Sequence, residues 1–226
     1  MHLTKTSSIQ CKIGSNVYIM SEKKNIRAVF WDLGGVIVRT HDWSGRTHWE
    51  KQIGLQPHEL ERIIFSGEMG KRAAIGQANS DDVWKWVLNH LGLPESDRHS
   101  LQRDFFDGDK VDEELVSFIR SLRPTYLTGM ISNAWPEGRH WLENEWRIAD
   151  AFDHIVISAE VGMAKPDPRI FHLALDGLEV TPRESVFIDD FEENIKAARE
   201  VGLHAILFRD PEETVSELRQ LLDLNS

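Results

Sequence analysis

The chain has 226 residues, a formal net charge of −11 and 41% hydrophobic residues. This length suits one large domain or a core with an insert, and the apolar fraction is enough for a packed core but too low for a membrane protein. The scattered acidic residues disfavour nucleic acid as a bulk electrostatic partner, and no segment is long and apolar enough to span a bilayer.

The N-terminal stretch differs from the rest of the chain. It lacks the continuous apolar segment of a signal peptide, and Met20 resembles a natural start, so we expect residues 1–24 to be an extension with little role in the fold. The only cysteine, Cys11, lies here. A single cysteine excludes an intramolecular disulfide framework and fits a reducing compartment, so we expect a cytoplasmic protein.

The first strong pattern is a buried strand over residues 27–32, which ends in Asp32. Helical periodicity then fills residues 43–107. It is clearest over 81–91, where acidic residues suit a helix start and Gly92 suits its end. Because no strand pattern interrupts this stretch, we expect an all-helical insert.

Strands and helices alternate from there to the end of the chain. Further strands are predicted at 126–131, 154–157, 186–189 and 204–208, and helices at 113–122, 137–146, 168–177, 192–201 and 213–222. This alternation predicts an α/β fold, a parallel sheet with helices on both faces. The expected core therefore comprises residues 25–42 and 108–226, and the insert comprises residues 43–107.

Three carboxylates stand at predicted strand ends: Asp32 after the first strand, and Asp189 with Asp190 after a later one. In an open α/β sheet the carboxyl ends of the strands meet at the ligand crevice. Three acids in one pocket need a compensating cation, and a hard, oxygen-liganded ion such as Mg²⁺ suits them. A cation framed by acids, with one acid free to act as nucleophile, indicates phosphoryl chemistry.

Four short motifs follow one another along the chain. They are Asp32-Leu33-Gly34-Gly35-Val36, Ile131-Ser132-Asn133, Lys165-Pro166-Asp167-Pro168, and Asp189-Asp190 with Asn194. From residue 26 onward this order resembles the haloacid dehalogenase superfamily of hydrolases. The closer similarity is to the branch with a small helical cap that includes sugar-phosphate phosphatases and the phosphatase domain of soluble epoxide hydrolases. The resemblance implies a Rossmann-like core with an inserted all-helical cap, here residues 43–107.

The resemblance also implies an activity, hydrolysis of small phosphate monoesters through an aspartyl-phosphate intermediate. Asp32 would attack phosphorus, and water would then hydrolyse the intermediate. Lys165 would place a positive charge among the acids and on the transferring group. Ser132 and Asn133 would bind the phosphate, with backbone N–H groups of a helix start nearby. The expected partner is a small phosphorylated metabolite, without nucleic acid or membrane.

A magnesium site follows from the same resemblance. Asp190, one oxygen of Asp32 and the backbone carbonyl of Gly34 would bind Mg²⁺ directly. Asp189 and Asn194 would not bind the ion directly. They would contact its ligands, or reach the ion through water. Which oxygens touch the metal is left open by the sequence.

One departure from the family pattern leaves alternatives open. Most phosphatases of this superfamily carry an aspartate as general acid and base two residues after the nucleophile, where this chain has Gly34. A dehalogenase that works without metal, and a binding protein that has lost turnover, are therefore the alternatives. A receiver domain is excluded, because its acid pair precedes the phosphorylated aspartate. Trp135, close behind the second motif, could line the pocket or simply pack.

Overall fold

The structure, a computed structural model, describes residues 25–224; the expected extension over 1–24 therefore lies outside the described residues. The main sheet has five parallel strands, which in chain order are β1 (Ala28–Trp31), β4 (Leu127–Ser132), β5 (His154–Ile157), β6 (Ser185–Asp189) and β7 (His204–Leu207). Across the sheet they lie in the order β5-β4-β1-β6-β7. All five predicted strands are present, which confirms the parallel α/β core.

Helices cover both faces of this sheet. They are α6 (Glu113–Leu122), α7 (Gly138–His140), α8 (Ser158–Val161), α9 (Pro168–Gly177), α10 (Glu192–Val201) and α11 (Pro211–Leu221). Strand alternation divides the core between the faces: Val29 and Trp31 of β1 join one apolar cluster, and Ala28 and Phe30 join the other. The sheet is therefore buried on both sides, as its continuous apolar strands predict.

The stretch predicted as one helix over 137–146 is divided. A single α-helical turn, α7, continues as a wider π-helical turn over Trp141–Glu145. Short 3₁₀ turns occupy Glu95–Asp97, Ala149–Ala151 and Pro182–Glu184. Within residues 25–224, no helix has both the length and the apolar character needed to cross a membrane.

Along the chain, five helices lie between β1 and α6. They are α1 (Ser44–Ile53), α2 (Glu59–Ser66), α3 (Glu68–Ala74), α4 (Ser80–Leu91) and α5 (Arg98–Phe106). Asn79 starts α4 with a capping box to Asp82, and Gly92 ends it at φ 67°. These helices share an apolar cluster of their own. The all-helical insert of the predicted fold is thus confirmed, while its division from the core at residues 43 and 107 stays a prediction.

A two-stranded antiparallel ribbon, which sequence analysis did not predict, joins the insert to the core. Strand β2 (Val38–Thr40) pairs with β3 (Asp109–Val111), so the two chain segments that enter and leave the insert run side by side. The buried guanidinium of Arg46 in α1 donates to both carboxylate oxygens of Asp109, at 2.7 and 2.9 Å. It also donates to Glu61 in α2 at 2.9 Å. This bidentate contact fixes the base of the insert to the ribbon.

Candidate active site

The site lies at the carboxyl ends of three neighbouring strands, β4, β1 and β6. Trp31 at the end of β1 lies level with Met130 of β4 on one side and Ile188 of β6 on the other. The next residue along each strand is therefore brought to the same edge, and the Asp32 amide donates to the Ile188 carbonyl at 2.8 Å. Asp32 and Asp189 consequently stand side by side, as expected for strand-end acids in a parallel sheet.

The three predicted carboxylates converge. Asp32, Asp189 and Asp190 each have an oxygen within 4.8 Å of the others. Asp32 and Asp189 are buried, and Asp190 is partly buried. Because one ammonium group, that of Lys165, pairs with two of these acids, the cluster keeps an excess of negative charge that a divalent cation would balance.

Lys165 reaches this cluster from the loop before α9. Its Nζ lies 2.7 Å from Oδ1 of Asp32 and 2.6 Å from Oδ2 of Asp189. The side chain is buried, and Nζ also lies 5.3 Å from the centre of the Phe187 ring. The lysine is thus held among the acids as the sequence predicts, which argues against a solvated surface role.

Asn133 holds the backbone of Lys165. Its Nδ2 donates to the Lys165 carbonyl at 2.9 Å, and its Oδ1 accepts from the Lys165 amide at 2.8 Å. This two-point contact ties the loop after β4 to the loop that carries the lysine. The predicted contact of Asn133 with phosphate stays a prediction, because the amide already has this positioning role.

Ser132 is the last residue of β4 and is buried, at the edge of the sheet where the three carboxylates lie. The loop that follows it is pinned by Ser158, which begins α8: Ala134 donates its amide to Ser158 Oγ at 3.1 Å, and that hydroxyl donates to the Ala134 carbonyl at 3.2 Å. Sequence analysis missed Ser158, since nothing in the pattern at 157–159 marks a contact with a loop 24 residues earlier.

Asp189 is saturated by protein partners. Its Oδ1 accepts from the Phe191 amide at 2.8 Å, Oδ2 accepts from Lys165, and Asn194 Nδ2 lies 3.0 Å from both oxygens. Asn194 is therefore directed at Asp189, not at Asp190, which lies before α10 begins at Glu192. This geometry fits the predicted outer position of Asp189 and Asn194, in which they orient the groups that bind a ligand.

Asp190 has the opposite character. Its Oδ1 is buried and has no hydrogen-bond partner among the described residues. A buried carboxylate oxygen without a partner is costly, and an unplaced ion is one of the ordinary explanations. The three-carboxylate cluster with this unpartnered oxygen therefore fits Mg²⁺, which prefers carboxylate and carbonyl oxygens.

Gly35, which sequence analysis did not single out, makes this arrangement possible. A Cβ atom at position 35 would lie 2.1 Å from Oδ2 of Asp190, and the residue has φ 78°, in the left-handed region that glycine tolerates. Gly34 differs on both counts: it has open space around a hypothetical Cβ and a backbone outside that region. The second glycine of the pair is thus the one that the site requires.

Burial and like charge raise the pKa values of two acids of the cluster, Asp32 and Asp190. Burial raises the pKa of Asp32 to about 8 against the opposing charge of Lys165, and the charges of Asp189 and Asp190 add to the rise. Burial, with the charge of Asp189, raises the pKa of Asp190 to about 6. Burial alone would lower the pKa of Lys165, but the charges of Asp32 and Asp189 outweigh it and raise that pKa. The lysine therefore stays protonated, and the acids favour a proton or a cation.

Comparison with known proteins agrees with this geometry. The model of the haloacid dehalogenase-like hydrolase family matches residues 26–202. The chain belongs to this family. Its four motifs occupy the expected strand ends and loops of the haloacid dehalogenase fold, and the family resemblance predicted from the sequence is confirmed.

Relatives of this haloacid dehalogenase-like hydrolase include phosphatases. It is 30% identical over 200 residues to a sesquiterpene phosphatase of Aspergillus oryzae, with 87% of this chain and 96% of that protein covered. It is 44% identical over 219 residues to bifunctional epoxide hydrolase 2 of Sus scrofa, covering 87% of this chain but only 39% of that longer protein.

A solved haloacid dehalogenase family enzyme of Bacteroides thetaiotaomicron, in complex with magnesium and inorganic phosphate, shares the fold. The TM-score is 0.68 at 23% identity, with 84% of this chain and 98% of that chain covered. The family match and the sesquiterpene phosphatase relative, in contrast, show that the chain is an enzyme of the phosphatase-type hydrolases.

Proposed function

We propose that the enzyme hydrolyses phosphate monoesters with Mg²⁺, through an aspartyl-phosphate formed on Asp32. The observation that carries the proposal is the buried position of Lys165 between Asp32 and Asp189, beside an Asp190 oxygen that lacks a partner. The sesquiterpene phosphatase relative and the fold shared with a magnesium and phosphate complex support it.

In this proposal each group acts from its observed position. Asp32 attacks phosphorus, and the bond between its carboxylate oxygen and phosphorus forms, giving an acyl phosphate, as the bond from phosphorus to the leaving oxygen breaks. Lys165 is positioned to offset the charge of the transferring group and to lower the pKa of Asp32 against the effect of burial. The Ser132 hydroxyl, at the end of β4, binds a phosphate oxygen. Water then hydrolyses the acyl phosphate and regenerates the Asp32 carboxylate.

The metal would be held by Asp32, Asp190 and the backbone carbonyl of Gly34. When bound, Mg²⁺ supplies positive charge to the phosphate oxygens and lowers the repulsion that they meet among the acids. Asp189 and Asn194 do not bind it in this proposal: Asn194 orients Asp189, and Asp189 orients Lys165. Gly35 leaves the space into which the Asp190 carboxylate fits.

The leaving group receives no proton from position 34, because Gly34 has no side chain. The released alkoxide or phenoxide must therefore take its proton from water or from the substrate itself. General acid catalysis typically accelerates a reaction by about 10²–10⁴-fold. Without it, substrates with good leaving groups should react best.

Turnover of aryl phosphates by wild type and Asp32→Asn, with Mg²⁺ and with a chelator, tests the proposal. The substitution keeps the size of the side chain but removes the attacking charge. We expect a loss of at least about 10³-fold in kcat, an unchanged fold by circular dichroism, and a phosphoenzyme detectable by mass spectrometry in wild type alone.

Three kinds of result would each contradict the proposal. Near-normal turnover in Asp32→Asn would exclude the covalent mechanism. Full activity in chelator-treated wild type, or release of halide from small halogenated acids under those conditions, would favour the metal-free dehalogenase alternative. Binding of phosphate esters without any turnover would favour the non-catalytic alternative.

A further inference from the structure

Aromatic rings from the cap and from the core meet beside the second motif. Phe65 of α2 lies 5.5 Å, between ring centres, from Trp135, which follows β4 in the core. Trp84 of α4 lies 6.5 Å from the same ring, and Phe105 links Phe65 to Phe106 at 5.7 and 4.9 Å. These five residues are called the ring cluster below; Trp135 is its only member outside the cap.

The ring cluster has a buried base and an open rim. Trp84 and Phe105 are buried, whereas Phe65 and Phe106 keep 40% and 38% of their surface exposed. Two of the five large hydrophobic side chains recorded as exposed in residues 25–224 therefore belong to this one cluster. Both exposed rings contact the buried Phe105 ring, and exposed apolar side chains that are grouped in this way are typical of binding surfaces.

The cluster lies within a short reach of the phosphate end of the site. Trp135 is three residues after Ser132, a separation of at most about 11 Å along the chain. The same loop is held to the cap by Glu137, whose Oε1 accepts from Ser80 Oγ at 3.0 Å. Rings on the rim can therefore reach a group attached to a phosphate held at Ser132.

On the side of the cap, helix α2 makes the contact with Trp135. Glu61 and Phe65 are four residues apart and share a helix face. Glu61 is bound by Arg46 near the ribbon, and Phe65 contacts Trp135 near the second motif. The helix thus extends from the Arg46 contact beside the ribbon to the loop that follows β4, and its Phe65 ring is the apolar part of that face.

We infer that the ring cluster binds the organic part of the substrate and that this part is apolar, an aryl or a hydrocarbon-rich group rather than a sugar. The inference rests on the proposed phosphatase function and specifies its substrate class. Three of the five rings are phenylalanines, which offer large contact area and no polar group, and the indole N–H groups of Trp84 and Trp135 are the only hydrogen-bond donors that the five rings carry. Most hydroxyls of a sugar held against these rings would meet no protein partner there, which costs binding energy wherever they lose water.

A series of 4-alkylphenyl phosphates, from methyl to hexyl, tests the inference. The acidity of the phenol stays nearly constant along the series, so the chemical step is matched and only the apolar length changes. We expect kcat/KM of wild type to rise by up to about fourfold per added methylene, the value of burying one methylene group. Phe65→Ala and Trp135→Ala should flatten this rise while phenyl phosphate is still turned over.

Trp141→Ala is the matched control. Its ring is 45% exposed and contacts Trp146, not the ring cluster, so its dependence on chain length should equal that of wild type. Phe65→Gln provides a second test at the exposed rim, since it keeps a long side chain, removes the ring and leaves the buried base intact.

Binding of alkylphosphonates to Asp32→Asn with Mg²⁺, measured by calorimetry, separates this inference from the proposed function. Tighter binding with chain length but no ester turnover in wild type would reject the phosphatase proposal and keep the apolar site. Turnover with a flat dependence on chain length, or a rise that Phe65→Ala and Trp135→Ala leave unchanged, would show that the rings only join cap to core and would overturn the inference.

Discussion

The Asp190 carboxylate packs directly against the backbone of Gly35, where a Cβ atom would lie 2.1 Å from Oδ2. The contact connects the loop after β1 with the loop after β6, the two loops that carry the acids. Gly34, one residue earlier, has no such neighbour. The two adjacent glycines thus differ in role. Gly35 leaves space for the carboxylate of a candidate metal ligand, and Gly34 stands where most phosphatases of the superfamily carry an aspartate.

Substitution of the two glycines by alanine should separate these functions. Gly35→Ala displaces the Asp190 carboxylate and forces a left-handed residue, which costs roughly 1–2 kcal/mol of stability. We expect Mg²⁺ affinity and kcat/KM to fall by at least about 10-fold, as for loss of a ligand's support. Gly34→Ala should leave the melting temperature and Mg²⁺ affinity close to wild type. Equal Mg²⁺ affinities in the two variants, measured by titration of activity, would refute this account.

Asp190 and Asn194 should differ in the same titration. Asp190→Ala removes the carboxylate whose Oδ1 lacks a partner, so Mg²⁺ affinity and activity should be lost together. Asn194→Ala removes the amide that contacts both oxygens of Asp189, and should weaken both quantities by about 10–100-fold. If Asn194→Ala proved the more damaging for Mg²⁺ affinity, with both proteins folded, the assigned order of direct and outer positions would be wrong.

Much of this site follows from local sequence pattern. Asp32 and Asp189 stand at the ends of continuous apolar runs, and such runs are predictable as buried parallel strands. The ribbon of β2 and β3 was not predictable in the same way, because each strand has three residues and the partner of Val38 is Val111, far along the chain. The clamp of Asn133 on Lys165 and the space at Gly35 depend on how two loops meet, which no periodicity encodes.

Protonation of the acids should oppose metal binding. The pKa of Asp32 is raised to about 8 and that of Asp190 to about 6, from an ordinary value of 3.8, so the folded protein holds protons that the unfolded chain has released. The contribution of these two groups to stability without Mg²⁺ should therefore decrease as pH rises from about 4 to 8, and apparent Mg²⁺ affinity should increase over the same range with release of protons.

Melting temperatures in chelator and in Mg²⁺, measured across this pH range, check that sign. Asp32→Asn removes the group with the larger shift and should flatten the decrease in chelator. A difference in melting temperature between wild type and Asp32→Asn in chelator that does not change between pH 4 and 8, or an Mg²⁺ affinity independent of pH, would contradict the raised pKa values.

Gly34→Asp addresses the missing general acid. In wild type no carboxylic acid stands at position 34, so kcat/KM should depend steeply on the acidity of the leaving group: aryl phosphates should react well and simple alkyl phosphates poorly. The side chain at 34 meets open space and needs no left-handed backbone, so the aspartate can be accommodated. It should speed the poor leaving groups most, within the typical range of about 10²–10⁴-fold for general acid catalysis.

The measurement is a plot of log kcat/KM against leaving-group pKa for wild type and Gly34→Asp, with Gly34→Asn as the matched control. The amide has nearly the same size as the acid but cannot donate a proton to a departing alkoxide at comparable acidity, so its slope should stay close to that of wild type. A shallow slope in wild type would mean that another group already protonates the leaving oxygen. Because Glu61 is the cap carboxylate whose charge acts on Asp190, Glu61→Gln would then be the variant expected to steepen the slope.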